Sequence, residues 1–144
     1  VARAARDWLV EWLQTRAPTN LGAALATLPR FQEVVGQLDA WLFSNRVLLD
    51  AAIAGNAGAG DASRIKYLVT TQAIAVVEKA IEISGNPGLS RSNALERHYR
   101  NVLCSRIHTP QNDTILVAGG RAAFAGQPQP QSQVHAPAGA VRAA

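Results

Sequence analysis

Two glycine-rich breaks divide the chain: Gly55-Asn56-Ala57-Gly58-Ala59-Gly60 and Ser84-Gly85-Asn86-Pro87-Gly88. Between and around them, apolar side chains recur every three or four residues, the period of a helix that buries one face. No segment alternates apolar and polar with the period of two that a half-buried strand requires. Alanine, the best intrinsic helix former, is abundant. The pattern therefore predicts an all-α fold, an antiparallel four-helix bundle of up-down type with a short extra C-terminal helix.

The first helix is expected from Val1 to about Arg16. Ala5, Trp8, Leu9, Trp12 and Leu13 share one side, and Arg6, Asp7 and Glu11 take the other. It opens in mid-helix without a capping residue, which suggests a natural chain extending upstream. The second helix is expected from Thr27, as N-cap, with Pro29 in its first turn. Phe31, Val34, Val35, Leu38, Trp41, Leu42, Leu49 and Ile53 form its stripe. Phe43, Val47 and Leu48 widen that stripe, so the helix is expected to be covered on more than one side.

The third helix runs from Asp61 or Ser63 to about Ile83, with two apolar stripes and Gln72 in line with one of them. The fourth opens at Asn93, with Glu96 three residues on as in a capping box. Leu95, Tyr99 and Val102 point inward; Arg97, Arg100, Asn101, Cys104 and His108 form a polar side. Thr109-Pro110 reads as the start of a last helix carrying Ile115, Leu116 and Val117, weakened by Gly119-Gly120 and anchored by Phe124. These elements make residues 1–125 one bundle domain. Residues 126–144, rich in Gln, Pro, Ala and Gly and including His135, read as a disordered tail.

The net charge of +4 comes from basic residues scattered from Arg3 to Arg142 without a dense run, which argues against nucleic acid. Cys104 is the one cysteine, so an intramolecular disulfide is excluded. No segment has the roughly 20 apolar residues of a membrane span, and no signal-peptide pattern opens the chain; cytoplasm is the default. There is no phosphate-loop or dinucleotide glycine motif, no His-Glu-x-x-His and no cysteine pair, so no metal site is expected. The turn at Ser84–Gly88 is either a plain helix cap or an anion-binding nest. Arg97 and Arg100, three apart, either grip a phosphate or carboxylate or bridge to Glu78 or Glu82 on a neighbouring helix.

The run Glu82-Ile83-Ser84-Gly85-Asn86-Pro87-Gly88-Leu89, followed by Leu95-Glu96-Arg97-His98-Tyr99-Arg100-Asn101, resembles a signature of the acyl-CoA dehydrogenase superfamily: a glycine-rich turn, then a helix bearing Glu-Arg-x-Tyr-Arg-Asp. Asn101 here replaces the aspartate. Phe31-Gln32 and Arg16 resemble two further family positions. The resemblance covers about Val1 to Phe124 and implies the C-terminal helical domain of a flavoenzyme. FAD or FMN would be held mainly with domains outside this chain, a small molecule would be the substrate, and the bundles would assemble as a homodimer or tetramer. On this chain it implies flavin contacts from Arg16, Gly85, Asn86, Gly88 and Asn112. The usual paired glycines of the turn are here Ser84-Gly85, with Pro87 added.

A dehydrogenase of this superfamily would carry a glutamate base after the arginine helix. This chain has Ile107-His108-Thr109-Pro110-Gln111-Asn112-Asp113 instead. That His-x-Pro pattern resembles the superfamily's flavin monooxygenases, such as dibenzothiophene monooxygenase, and implies that His108 faces the flavin ring as the catalytic residue. The leading reading is thus a monooxygenase-like enzyme using reduced flavin and O2. The alternatives are an acyl-CoA dehydrogenase proper with its base elsewhere, or a non-catalytic oligomerisation module. The chain alone is expected to be inactive and to expose apolar surface.

Overall fold

A computed structural model describes residues 1–58 and 60–126. Among them the fold is all-α: α1 (Ala2–Thr15), α2 (Pro29–Ile53), α3 (Asp61–Ser84), the single-turn α4 (Asn86–Leu89), α5 (Ala94–Leu103) and α6 (Asn112–Ala125). Short 3-10 turns stand at Leu25–Thr27 and Cys104–Arg106. The tail reading for residues 126–144 falls, apart from Gly126, outside the described residues. None of the described helices is long and apolar enough to cross a membrane.

α3 is the axis of the molecule and packs against every other helix. Its Ile74, Val76, Val77 and Ala80 are buried with Ala5, Leu9 and Leu13 of α1, Leu38 of α2, and Leu95 and Val102 of α5. This is the double stripe that the sequence predicts for a helix enclosed by neighbours. Three contacts fix its direction relative to α2. Ser44 Oγ donates to Gln72 Oε1 at 2.8 Å, Asn45 Nδ2 lies 3.5 Å from the Val69 carbonyl, and Val34 shares a cleft with Glu82 and Ile83. Positions rise along α2 as they fall along α3, so the two are antiparallel. Arg6 of α1 pairs with Asp39 of α2, while Leu13 and Gln14 line a groove with Phe31 and Gln32. α1 and α2 are therefore antiparallel as well.

The structure revises several local expectations. Thr27 ends the 3-10 turn, its hydroxyl donating to the Ala24 carbonyl at 2.8 Å, and Leu28 is the N-cap of α2. α2 is not covered on several sides. Its buried residues, Phe31, Leu38 and Asn45, repeat every seven positions on one narrow seam, while Phe43, Val47, Leu49 and Ile53 stand in the open. Thr109-Pro110 does not begin the last helix. That bond is cis, and α6 starts at Asn112 behind Gln111. α6 then continues through Gly119-Gly120. Only its Ile115 is buried, and Phe124 anchors nothing, at 79% exposure.

Candidate functional site

The predicted site residues fall into two groups at opposite ends of α3. The first is built on the α3–α4 turn. Gly85 caps α3 with a left-handed φ of 64°, its N–H bonding the Ile81 carbonyl at 2.8 Å. That φ suits glycine, which lacks the Cβ that crowds the left-handed region. The chain then makes the one turn of α4, which Pro87 accommodates because a first-turn residue has no helical acceptor for its N–H. Gly85 and Asn86 are exposed. Gly88 is buried, and a Cβ on it would collide with Ser84 Oγ and press on Leu95. The Ser84 hydroxyl is itself buried and donates to the Ala80 carbonyl at 2.8 Å. Thus the serine that stands beside Gly85, where the superfamily pattern has paired glycines, is matched by a glycine four residues on.

Asn93 ties this turn to α5. Its Oδ1 accepts from Leu95 N–H at 3.0 Å, as an N-cap should, and its Nδ2 donates to the Pro87 carbonyl at 2.8 Å. Glu96 does not complete a capping box; it pairs with Arg100 through Nε at 2.7 Å and Nη2 at 3.2 Å. Arg100 is thereby paired within its own helix. The bridge to a neighbouring helix comes from Arg106, 3.8 Å from Glu78. Arg16, exposed, closes α1. Since α1 and α3 are each antiparallel to α2, the C-terminal end of α1 lies at the same end of the bundle as the Gly85 turn. Arg16, Gly85 and Asn86 thus share one end of the molecule.

His108 and Asn112 belong to the other group. α5 stops at Leu103, and a 3-10 turn follows, so His108 leaves the helical face that carries Arg97 and Arg100. It sits in the loop 107–111 with its side chain exposed. Among the described residues its ring makes no hydrogen bond. Its backbone is held firmly: Lys66 Nζ of α3 donates to the carbonyls of His108 at 3.2 Å and Pro110 at 2.9 Å. Asn112, the first residue of α6, keeps Oδ1 buried without a donor. Lys66 and Gly85 stand nineteen residues apart on α3, about 28 Å at 1.5 Å per residue. One copy of this domain therefore does not gather His108 and the Gly85 turn into a single compact pocket.

Sequence reasoning did not find Lys66. Its partners are backbone carbonyls more than forty residues away, which leave no residue-type signal. Nor did it find the Arg6–Asp39 fork, with both bonds at 2.7 Å, which raises the Arg6 pKa chiefly through the hydrogen bond to Asp39. His98, half-buried on α5, has its pKa lowered chiefly by burial and further by Arg97. Cys104 is exposed. The described residues contain no cluster of His, Cys, Asp and Glu suited to a metal ion.

Comparison with known proteins gives one family. Residues 1–113 match the model described as "Acyl-CoA dehydrogenase, C-terminal domain". The chain is 29% identical over 123 residues to "Putative acyl-CoA dehydrogenase YdbM" of Bacillus subtilis (strain 168), covering 81% of this chain and 32% of that protein. Its fold is similar to butyryl-CoA dehydrogenase from Megasphaera elsdenii, with a TM-score of 0.75 and 23% identity over 85% of this chain and 33% of that one. It is also similar to PigA in its FAD complex, with a TM-score of 0.72 and 20% identity over the same shares. The chain thus spans about a third of the length of these relatives.

Proposed function

From the premise that this chain belongs to the acyl-CoA dehydrogenase C-terminal domain family, we propose that it is the helical domain of a flavin-dependent oxidoreductase whose active centre is completed by further protein. The residues present suit a flavin. An exposed arginine and an exposed glycine turn at one end of the bundle offer a guanidinium fork and a backbone N–H to phosphate oxygens. Arg16, Gly85 and Asn86 would hold the cofactor's phosphate end. Gly88 serves this by letting the turn pack on Ser84 and Leu95. When bound, the flavin supplies the two-electron redox chemistry. The separation of about 28 Å along α3 means that His108 and the phosphate-end residues of one copy act on different parts of an extended cofactor, or on cofactors of different copies.

The reading of His108 rests on one observation: its side chain is exposed while Lys66 fixes the backbone on either side of Thr109. An imidazole presented in this way can donate or accept a hydrogen bond beside a reacting flavin. The segment from Ile107 to Gln111 carries no carboxylate, which favours a monooxygenase-like reaction of reduced flavin with O2 over abstraction of an acyl α-proton. A dehydrogenase of acyl thioesters is the second reading, favoured by the names of the relatives, and Asp113 is the nearest carboxylate on the chain. By the same family membership, the domain associates with further copies.

The two are separated on the intact protein loaded with reduced flavin. Rapid mixing with oxygenated buffer is followed by flavin absorbance, for the parent and for His108→Ala. A long-lived intermediate before reoxidation, lost in His108→Ala with the fold intact, supports the monooxygenase reading. Direct reoxidation in both proteins, with bound flavin reduced by an acyl-CoA, sinks it and establishes the dehydrogenase.

A further inference from the structure

The loop 107–111 lacks the usual means by which a fold holds a segment in place. All of its residues are exposed, Ile107 to 71%, so apolar packing contributes little. Among the described residues, no backbone group of residues 108–110 bonds to another backbone group. Their hydrogen bonds come from one atom. Lys66 Nζ donates to the carbonyls of His108 at 3.2 Å and Pro110 at 2.9 Å. Lys66 projects from α3 next to Ile65, which is buried, so the arm starts from a rigid element. Among the described residues its ammonium enters no ion pair, and its donors go to this loop.

Two anchored carbonyls do more than tether. Each lies in a rigid peptide plane, so bonding both fixes two planes of the same short segment. Between them the proline ring holds one further rotation, the φ of Pro110. The direction of the Cα–Cβ bond at His108 follows from that backbone, and the imidazole keeps only its two side-chain torsions. An ammonium suits the task because it carries three N–H donors on one charged atom, and charge-assisted bonds are the stronger kind. Placement at this level matters to chemistry, since a shift of about 1 Å in a reacting group can cost about a hundredfold in rate.

We propose that Lys66 is a positioning residue that acts through His108: by holding the carbonyls on either side of Thr109 it sets where the imidazole stands, and the flavin chemistry assigned to His108 depends on it. This rests on the reading of His108 given above and adds the residue that places it.

The test uses Lys66→Met, which keeps the length of the arm and deletes its donors, Lys66→Gln as a second neutral variant, and Lys66→Arg, which restores charge and donors. Lys66 is half-exposed, so circular dichroism should show all three folded. The first readout needs no flavin. In the intact protein with isotope-labelled histidine, NMR follows the imidazole Cε1–H of His108, identified by its loss in His108→Ala. Lys66→Met and Lys66→Gln should move that signal to the position and narrow width of a free histidine, and Lys66→Arg should bring it back towards the parent. The second readout is rapid mixing of the flavin-loaded protein. The flavin phase that His108→Ala changes should slow by about tenfold to a hundredfold in Lys66→Met, with flavin retention after gel filtration unchanged and partial recovery in Lys66→Arg. Added to His108→Ala, Lys66→Met should have no further effect, because a residue that acts through another has nothing left to act on. A His108 signal unmoved in both neutral variants, a parent-like rate in them, or further slowing in the double variant overturns the proposal while leaving the role of His108 intact. A flavin phase unchanged by His108→Ala itself overturns the reading of His108 and this proposal together.

Discussion

At position 88 a single methyl group decides whether the glycine turn can form. A Cβ there would overlap Ser84 Oγ, which is buried and committed to the Ala80 carbonyl. Overpacking of this kind costs about 1–3 kcal/mol, so Gly88→Ala should lower the denaturation midpoint accordingly. With Ser84→Ala the nearest remaining contacts, Leu95 Cδ2 at 3.1 Å and Ser84 Cβ at 3.4 Å, need only small shifts. The double variant Ser84→Ala/Gly88→Ala should therefore recover about 1 kcal/mol or more relative to the sum of the singles. Additive effects in a urea titration would mean that Gly88 is fixed by backbone conformation rather than by its neighbour. His98 gives the residue-scale pH effect. Burial lowers its folded pKa below the unfolded value of about 6.5, so the folded state resists protonation. Stability is then undiminished above the unfolded value and is lost as the pH falls below it and through the folded pKa. His98→Gln should remove part of that acid loss in thermal melts from pH 7 to 5. A profile unchanged by the substitution would place the acid sensitivity elsewhere.

At the scale of elements, the loop 107–111 is attached to α3 by one ammonium group bonded to two carbonyls. Lys66→Met keeps the aliphatic stem and deletes both bonds. Amide exchange in residues 107–111 should accelerate while α3 stays protected, with global stability reduced by less than about 2 kcal/mol at two modest net hydrogen bonds. Equal exchange in both proteins would show the loop held by other contacts. The sequence foresaw α1, α3 and the start of α5 to within a residue or two because their apolar periods coincide with real burial, as at Leu9, Val77 and Leu95, but it carried α5 on to His108, whereas that helix ends at Leu103. The Asn93 cap was visible because its chemistry is local. The sequence predicted α6 to be weakened at Gly119-Gly120 on the way to Phe124, and α6 runs unbroken through both. Two glycines weaken a helix by about 1 kcal/mol each relative to alanine. Both face open space, where an added Cβ meets nothing within 4 Å. Of the predicted site residues, Arg16, Gly85 and Asn86 converge through antiparallel packing that no single segment encodes. His108 was legible through its residue type and the His-x-Pro resemblance, but its placement was not, because that depends on Lys66 across the fold.

For the whole molecule, the buried core is slender beside the apolar surface left open. α2 contributes Phe31 and Leu38 to the interior, yet presents Phe43, Val47, Leu49 and Ile53 to solvent. α6 buries Ile115 and exposes Leu116, Val117 and Phe124. In a chain that spans about a third of its relatives, association should then be a measurable part of stability rather than an addition to it. A partner that binds only the folded state stabilises it by RT ln(1 + [L]/Kd), which is about 2.7 kcal/mol at a hundredfold excess over Kd. For a self-associating chain the ligand is the chain itself, so the melting temperature must rise with protein concentration. For a domain of this size, about 1–3 kcal/mol corresponds to a rise of several degrees. Differential scanning calorimetry from about one to one hundred times the dissociation constant should show that rise for the parent chain. A melting temperature independent of concentration in the parent would mean that the open face of α2 contributes nothing to the folded state. The fold would then rest on the α3-centred core alone, with the exposed stripe carried at no gain in stability.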